Sequence, residues 1–282
     1  MDDLHALNEA INQKAGRKLL PSIAVSLAIL TVVFTSVYYV PVAFAVLVWV
    51  AVMLAIRELT NAYQSGGIDL PKLPLQIAGT ALLISAWNGR ISGLAVAMAI
   101  AIPNLLVFML LTNPKDFVRR GASAAFAIFY IPFLAGFILL LSHEENGPAR
   151  ILTLVVLVSC NDTFAYLFGV LLGRHPLAPH ISPKKTWEGF TGSIIATTIG
   201  SALVFTLALD KSWWIGAVIG LMAVVTATCG DLIESAVKRD LSIKDMGTLL
   251  PGHGGILDRI DSVLFTGPAV WFVLEAIKHF KL

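Results

Sequence analysis

The sequence predicts an all-α, polytopic integral membrane protein with about nine transmembrane helices. Its composition indicates a bilayer environment, because 57% of the 282 residues are hydrophobic, only 13% are charged and the mean hydropathy is +0.81. A soluble domain carries about 25% charged residues. Long apolar runs recur along the whole chain, and an uneven distribution of Lys and Arg gives those runs an orientation.

The apolar runs are close to the length that a transmembrane helix requires, which is roughly 20 residues for about 30 Å of hydrocarbon. Several runs lie near the lower limit, so eight or ten spans stay open beside nine. The runs cover residues 19–36, 41–56, 73–88, 91–111, 122–141, 150–172, 189–209, 212–229 and 262–280.

The polar residues divide this single membrane domain, 1–282, into three parts. Residues 1–18 are polar and lack the pattern of a removable signal peptide, so we expect a cytoplasmic segment that is either an amphipathic surface helix or an unstructured tail. Residues 19–141 are mostly plain spans, which we interpret as a scaffold and as the dimer surface of a homodimer. Residues 150–282 hold the dense polar motifs and are expected to form the catalytic helices and loops.

The composition also bears on other function classes. A net charge of +2 is too small to indicate a nucleic-acid partner. Cys160 and Cys229 lie in or at the end of apolar runs, where we expect buried hydrophobes, with neither a disulfide nor a zinc site. No internal repeat is visible, which disfavours an ion-coupled transporter built from inverted repeats but leaves it open as an alternative. Asp162 and Asp231 would form the coupling site of such a transporter.

The basic residues predict which loops face the cytoplasm. With the N-terminus inside, the inner segments hold 15 of the 20 Lys and Arg residues. Short cytoplasmic loops favour Lys and Arg, so we expect an inner N-terminus and an outer C-terminus. Residues 173–188 and 230–261, which are the richest in polar side chains, then emerge together on the cytoplasmic face. The sequence therefore places a candidate active site on that face.

Asn161 and Asp162 interrupt an apolar run, in the segment "VSCNDTFAYLFG". An ionisable residue inside hydrocarbon is costly and usually faces a cavity or a partner. We therefore expect Asp162 to line the floor of a polar cavity, where it has a supporting or metal-proximal role. A structural hydrogen bond between two helices is the alternative.

The segment "HPLAPHISPKKTWEG", residues 175–189, contains three prolines that exclude a continuous helix and stiffen the loop. Lys184 and Lys185 follow directly, and two ammonium groups on a rigid loop suit a phosphate clamp. Ser182 and Thr186 add hydroxyl donors. An ordinary basic cytoplasmic loop is the alternative interpretation.

Residues 229–262 contain carboxylates at two predicted helix ends. Asp231, Glu234 and Lys238 would share one face of a helix, and Asp258 and Asp261 would share one face of the next. Carboxylates beside basic side chains suit a site where oxygen-ligated cations meet phosphates.

Two residues of this segment keep alternative interpretations. Asp261 precedes an apolar run and could simply be a helix N-cap. His253 lies in "LLPGHGG", where glycines permit close approach of the backbone to a ligand. It could be a general base, a phosphate donor or a loop residue satisfied by the backbone.

Three blocks of the sequence resemble those of phosphatidate cytidylyltransferases, also called CDP-diacylglycerol synthases. "NDTFAYLFG" and "ISPKKTWEG" resemble the family's upstream blocks and occur in the expected order. The resemblance covers about residues 160–262. The third block resembles the family signature over Ser235-Ala-Val-Lys238-Arg239, Lys244-Asp245, Gly247, Leu250-Pro251, His253-Gly254-Gly255-Ile256 and Asp258-Arg259-Ile260-Asp261.

The resemblance implies a nucleotidyltransferase of phospholipid biosynthesis in the cell (inner) membrane. Such an enzyme joins CTP to phosphatidic acid, gives CDP-diacylglycerol and pyrophosphate, and requires Mg²⁺, with a second cation left open. Its partners are CTP, phosphatidic acid and membrane lipids. Another CTP-dependent lipid or polyprenol phosphotransferase stays the alternative enzyme.

The resemblance also implies roles for individual residues, with Asp231 and Asp258 as the metal-binding pair and with basic side chains on the phosphates. The expected catalytic residues are Asp231, Asp258, Lys184, Lys185 and Arg259. The expected metal-binding residues are Asp231, Asp258, Asp261 and Asp162. The expected substrate-binding residues are Ser182, Lys184, Lys185, Thr186, Lys238, Arg239, Lys244, His253, Gly254 and Gly255.

Overall fold

The computed structural model describes residues 30–144, 146–208, 210–247 and 254–280. Within them, two short antiparallel strands form a hairpin, β1 (Pro176–Ala178) and β2 (Ser182–Thr186). The helices are α1 (Leu30–Tyr39), α2 (Pro41–Ser65), α3 (Lys72–Thr112), α4 (Phe117–His143), α5 (Gly147–Leu172), α6 (Trp187–Ala208), α7 (Trp213–Asp240) and α8 (Leu257–Phe280). Seven of them, α2 to α8, are long and apolar enough to cross a membrane, which is the architecture of a multi-pass membrane protein. The predicted helical membrane fold is confirmed.

Helix α3 folds back on itself at Arg90. That residue has φ 55° and ψ −149°, which no α-helix accommodates. The Arg120 guanidinium donates hydrogen bonds to the carbonyl oxygens of Asp69 and Asn113, each at 2.7 Å, and these residues flank the two ends of α3. A straight helix of this length would separate its ends by roughly 60 Å. The two arms, 72–89 and 91–112, match the two separate apolar runs of the sequence.

Contacts between helix ends define two faces of the bundle. The motif face carries the β1–β2 hairpin, the end of α7 and the start of α8; Arg239 Nε donates to the Ile181 carbonyl there at 3.1 Å. The far face carries the Arg90 turn and the start of α5. Lys278 Nζ contacts Glu144 at 3.1 Å on that far face. The hairpin lysines and the carboxylates of α7 and α8 therefore lie at the same end of the bundle.

Small residues bring α7 and α8 close together near the motif face. A Cβ at Gly230 would lie 2.6 Å from the Asp261 carbonyl oxygen, so only glycine permits this approach. The Ser262 hydroxyl donates to the Ala227 carbonyl at 3.2 Å, one turn further along the same seam. Small residues and hydroxyl bonds are the usual means of helix association in a bilayer. This seam sets the position of Asp261 against α7.

Some predictions need correction or fall outside the described residues. Helix α8 begins at Leu257, so Asp261 lies in its second turn and is not an N-cap. Cys160 is half-buried and Cys229 is exposed, so the expectation of buried cysteines is wrong. The predicted N-terminal segment 1–18, most of the first run and His253 lie outside the described residues.

Candidate active site

A cavity of about 240 Å³, lined by both apolar and charged side chains, opens between α5, the hairpin, α6 and α7. Its apolar wall includes Ala165, Leu177 and Phe190. The polar side chains that line it are Asn161, Asp162, Tyr166, Lys184, Lys185, Thr186, Thr228 and Asp231. The structure thus brings together two motifs that the sequence separates, the paired lysines of the hairpin and the first carboxylate of α7.

Three carboxylates meet beside this cavity. Asp231 and Glu234 lie one turn apart on α7, and Asp261 reaches them from α8. One oxygen of each lies within 4.8 Å of the others. Glu234 and Asp261 are buried, at 1% and 7% exposure, whereas Asp231 is partly exposed and faces the cavity. Buried like charges at this separation repel one another, so the group has the donors and the charge that a divalent cation requires.

The hydrogen bonds of the acidic group leave a carboxylate oxygen available to bind a cation. Glu234 Oε1 is buried and has no hydrogen-bond partner within the described part of the chain. Lys185 Nζ lies 2.5 Å from Asp231 Oδ2, and Lys238 contacts Glu234. Ser235 Oγ donates a hydrogen bond to Asp231 Oδ1 at 3.2 Å, and the Ser262 N–H donates one to Asp261 Oδ1 at 2.7 Å. An unpaired buried carboxylate oxygen is costly unless a ligand satisfies it. The donor set therefore fits an oxygen-ligated cation.

Asp258 lies next to this group but is not one of the three carboxylates. Its Oδ1 accepts a hydrogen bond from Lys238 Nζ at 2.8 Å. Its Oδ2 accepts from the backbone N–H groups of Met246, at 3.0 Å, and Gly255, at 2.8 Å. Lys238 thus bridges Asp258 and Glu234. Because Glu234 lies one turn from Asp231 on α7, the two predicted metal ligands Asp231 and Asp258 are linked only indirectly.

The remaining basic residues occupy different positions at the motif face. Lys184 is exposed and lines the cavity beside Lys185. The Arg239 side chain instead joins the hairpin to α7 through the Ile181 carbonyl. Lys244 and Arg259 are exposed on the same face.

The predicted hydroxyl and glycine positions have local structural roles in addition to the predicted ones. Thr186 Oγ1 accepts a hydrogen bond from the Gly189 N–H at 3.2 Å and so caps the start of α6, while the residue also lines the cavity. Ser182 is half-buried in β2. Gly254 has φ +81°, a left-handed conformation that favours glycine. The Gly255 N–H holds Asp258.

Asp162 lies where the sequence predicts it. Its side chain is exposed to the cavity, and Asn161 Nδ2 donates to its Oδ1 at 3.0 Å. Asn161 itself is buried, and its own Oδ1 has no partner among the described residues. The interrupted apolar run thus supplies a polar wall of the cavity.

Comparison with known proteins decides the family of this chain. The model of the cytidylyltransferase family matches residues 22–277. The chain belongs to the cytidylyltransferase family. The predicted family and the predicted enzyme class, a nucleotidyltransferase, are confirmed.

Several relatives of this cytidylyltransferase carry the name phosphatidate cytidylyltransferase. A protein of Mycobacterium leprae is 35% identical over 94% of this chain and 90% of its own length. One of Mycobacterium bovis is 36% identical over 94% of this chain and 90% of its own length. One of Staphylococcus haemolyticus is 32% identical over 79% of this chain and 86% of its own length.

Two acidic residues of this cytidylyltransferase were not predicted as site residues. Glu234 completes the group of three carboxylates, and its spacing from Asp231 was the available signal. Glu58 of α2 is buried at 9% exposure and accepts hydrogen bonds from the N–H groups of Ile256 and Leu257. Its signal was an acidic residue just beyond the apolar run 41–56, but nothing in the sequence connected it to the start of α8.

Proposed function

We propose that this protein is a phosphatidate cytidylyltransferase. A phosphate oxygen of phosphatidic acid forms a bond to the α-phosphorus of CTP, and the bond from that phosphorus to the bridging oxygen of the β-phosphate breaks. The products are CDP-diacylglycerol and pyrophosphate. The family match and the names of the relatives support this function. The observation that carries it is the group Asp231, Glu234 and Asp261, of which the last two are buried, beside the lysines that line the cavity.

The main barrier of this reaction is repulsion between two anions. The attacking phosphate monoester has a second pKa near 6, so it is already anionic at neutral pH and needs no strong general base. Catalysis then depends on positioning and on neutralising the charge of the attacking and leaving oxygens. Lys184 and Lys185 line the cavity and are suited to bind phosphate oxygens there. Lys238 adds positive charge beside Glu234 and Asp258, and Arg259 stays a predicted phosphate-binding residue.

Asp231, Glu234 and Asp261 are the residues that would hold Mg²⁺. Magnesium prefers oxygen ligands and commonly takes one or two carboxylates together with substrate phosphates. When bound, the ion would neutralise charge on the phosphate oxygens as a Lewis acid. Asp258 and Asp162 stay predicted ligands, and a second cation near them stays a prediction. Asp258 already accepts hydrogen bonds from Lys238 and from two backbone N–H groups, and a cation there would compete with these donors.

The motif face is proposed to lie on the cytoplasmic side of the cell (inner) membrane. The fold-back of α3 at Arg90 supports two crossings by this helix, and a crossing that includes α1 would complete the nine predicted spans. Arg90, Arg150 and Lys278 lie at the far face, whereas most Lys and Arg residues of the described chain lie at or near the motif face. This asymmetry supports an inner N-terminus. The homodimer stays a prediction that rests on the plain spans of the first half.

The test is transfer of label from CTP to lipid by purified protein. CTP labelled at the α-phosphate is supplied with phosphatidic acid and Mg²⁺, and we expect label in CDP-diacylglycerol with one pyrophosphate released per turnover. A parallel assay supplies a polyprenol and CTP labelled at the γ-phosphate. Label in polyprenyl phosphate, without label in CDP-diacylglycerol, would replace this proposal by the kinase alternative.

A further inference from the structure

Glu58 connects the first half of the molecule to the start of α8. It is a buried residue of α2, and each of its carboxylate oxygens accepts one backbone hydrogen bond. Oε1 accepts from the Ile256 N–H at 3.0 Å, and Oε2 accepts from the Leu257 N–H at 2.9 Å. The first N–H groups of a helix have no partner within the helix, and a carboxylate there also interacts favourably with the helix dipole. Glu58 thus supplies the cap that α8 lacks in its own sequence.

Two glycines make room for this carboxylate. A Cβ at Gly247 or at Gly255 would overlap a carboxylate oxygen of Glu58. The two residues lie on either side of segment 248–253, and both contact the same side chain. This explains why glycine occupies these two positions of the signature motif. The close approach that the glycines permit is to the Glu58 side chain of the same protein.

The contacts of Glu58 continue directly into the acidic group. Asp258 follows the capped residues, and its Oδ2 accepts from Met246 N–H and Gly255 N–H. Asp258 therefore bonds to both stretches of backbone that lie against Glu58, 246–247 and 255–257. Asp261 lies one turn further along α8, in contact distance of the α7 carboxylates. The axial rotation and the axial position of α8 relative to α7 decide whether Asp261 contacts Asp231 and Glu234. Glu58 fixes the first turn of α8.

We infer that Glu58 is a positioning residue of the active site: from α2, it sets the start of α8 so that Asp261 joins Asp231 and Glu234 in one cation-binding group. The inference rests on the proposed function only for the use of that group in catalysis. Glu58 itself does not touch the group or the cavity in the described contacts. A residue that orients the ligands of a metal typically changes metal affinity or activity by about 10–100-fold when it is replaced.

The test compares Glu58→Gln and Glu58→Asp with a matched control, Glu275→Gln. Glu275 also lies on a helix and pairs with Arg150, but at the far face. Binding of Mn²⁺ to substrate-free protein, followed by electron paramagnetic resonance, measures the acidic group without any turnover. We expect Glu58→Gln to weaken Mn²⁺ affinity by about 10-fold. Glu58→Asp keeps the charge and should recover part of that loss, while Glu275→Gln should bind as the unaltered protein does.

Each result decides the inference. Folded Glu58→Gln with unaltered Mn²⁺ affinity would overturn it, and so would loss of the folded protein in both Glu58 variants, because Glu58 would then hold the fold and not the ligand geometry. In the transferase assay, a reduced kcat together with a higher Mg²⁺ requirement and a nearly constant KM for CTP supports it. Failure of the proposed function has a different signature: the unaltered protein binds Mn²⁺ through Asp231 but transfers no cytidylyl group to phosphatidic acid.

Discussion

Helices α1–α4 and helices α5–α8 differ sharply in how they carry acidic residues. Glu58 is the one acidic residue within the described helices α1–α4. Helices α5–α8 carry eight: Asp162, Glu188, Asp231, Glu234, Asp240, Asp258, Asp261 and Glu275. Yet Glu58 is buried against the signature motif.

This contrast shows that density of polar motifs is an incomplete guide to the residues that build a membrane site. The second half contains the groups that face the cavity, and several of them also pair with one another at the motif face. The first half contributes Glu58, whose side chain connects α2 to the start of α8. An isolated ionisable residue at the edge of an apolar run is therefore as informative as a dense motif, since burial of such a residue is costly without a partner.

The largest expected effect is the loss of Asp231. Asp231→Asn removes a charge from the only carboxylate of the group that also lines the described cavity. We expect kcat to fall by more than about 100-fold, which exceeds the usual effect of removing a residue that only orients a metal ligand. Initial rates of CDP-diacylglycerol formation over a range of Mg²⁺ concentrations measure this effect. A variant with near-normal rate at limiting Mg²⁺ would refute the cation assignment, and Glu275→Gln serves as the folded reference.

Asp258→Asn tests whether Asp258 stabilises the fold in addition to its predicted role as a metal ligand. The variant leaves Lys238 with Glu234 alone and weakens the acceptor for two buried N–H groups. We expect turnover to be lost and stability to fall by about 1–3 kcal/mol, the cost of leaving buried polar groups poorly paired. Thermal unfolding in detergent, compared with Asp231→Asn, measures the difference. Equal unfolding midpoints for the two variants would contradict the structural role of Asp258.

The two hairpin lysines should differ from one another. Lys185 pairs with Asp231 at 2.5 Å, whereas Lys184 is exposed beside it. We expect Lys185→Ala to lower kcat/KM for CTP by about 10–100-fold, as expected for a group in contact with a metal-binding carboxylate. Lys184→Ala should have a smaller effect, mainly on KM. The paired kinetic measurement checks this order, and a larger effect at Lys184 would show that the phosphates bind nearer the hairpin surface.

The smallest expected effect lies at the far face. Glu275→Gln breaks the 3.3 Å ion pair with Arg150, which joins α8 to α5 away from the motif face. A partly exposed pair contributes about 0.2–1 kcal/mol, so the unfolding midpoint should change little. Transferase activity should stay within twofold of the unaltered protein. A large loss of activity would mean that the far face influences the cation-binding group, and the separation of the two faces would then be wrong.

Several elements were predictable because their causes are local. The two arms of α3 were predicted as separate spans, since each is a long apolar run and a polar segment lies between them. The helices nevertheless extend beyond the runs, as with α8, which begins at Leu257 rather than at residue 262. Backbone hydrogen bonding continues through polar side chains, whereas the apolar pattern ends at the first charge. The stiff loop 175–189 was predicted, but its strands were not, because pairing depends on the partner strand.

The candidate site was predicted in its residue types and only partly in its arrangement. The face shared by Asp231, Glu234 and Lys238 follows from helical spacing and is present. Asp258 and Asp261 also share a helix, but spacing alone assigned both to the cation. Their different surroundings arise from contacts outside their own helix, with Gly230 for Asp261 and Met246 for Asp258.

By itself, the sequence determined the membrane character, most helix positions, the family and the segment that carries the chemistry. These properties depend on local hydrophobicity, local backbone hydrogen bonding and the order of residues within a motif. Only the tertiary structure decided that Asp261 joins Asp231 and Glu234. It also decided that Lys238 pairs with Asp258 and that Glu58 caps α8. Such contacts depend on the relative rotation and height of packed helices, which are set by close approaches between segments as distant as α2 and α8.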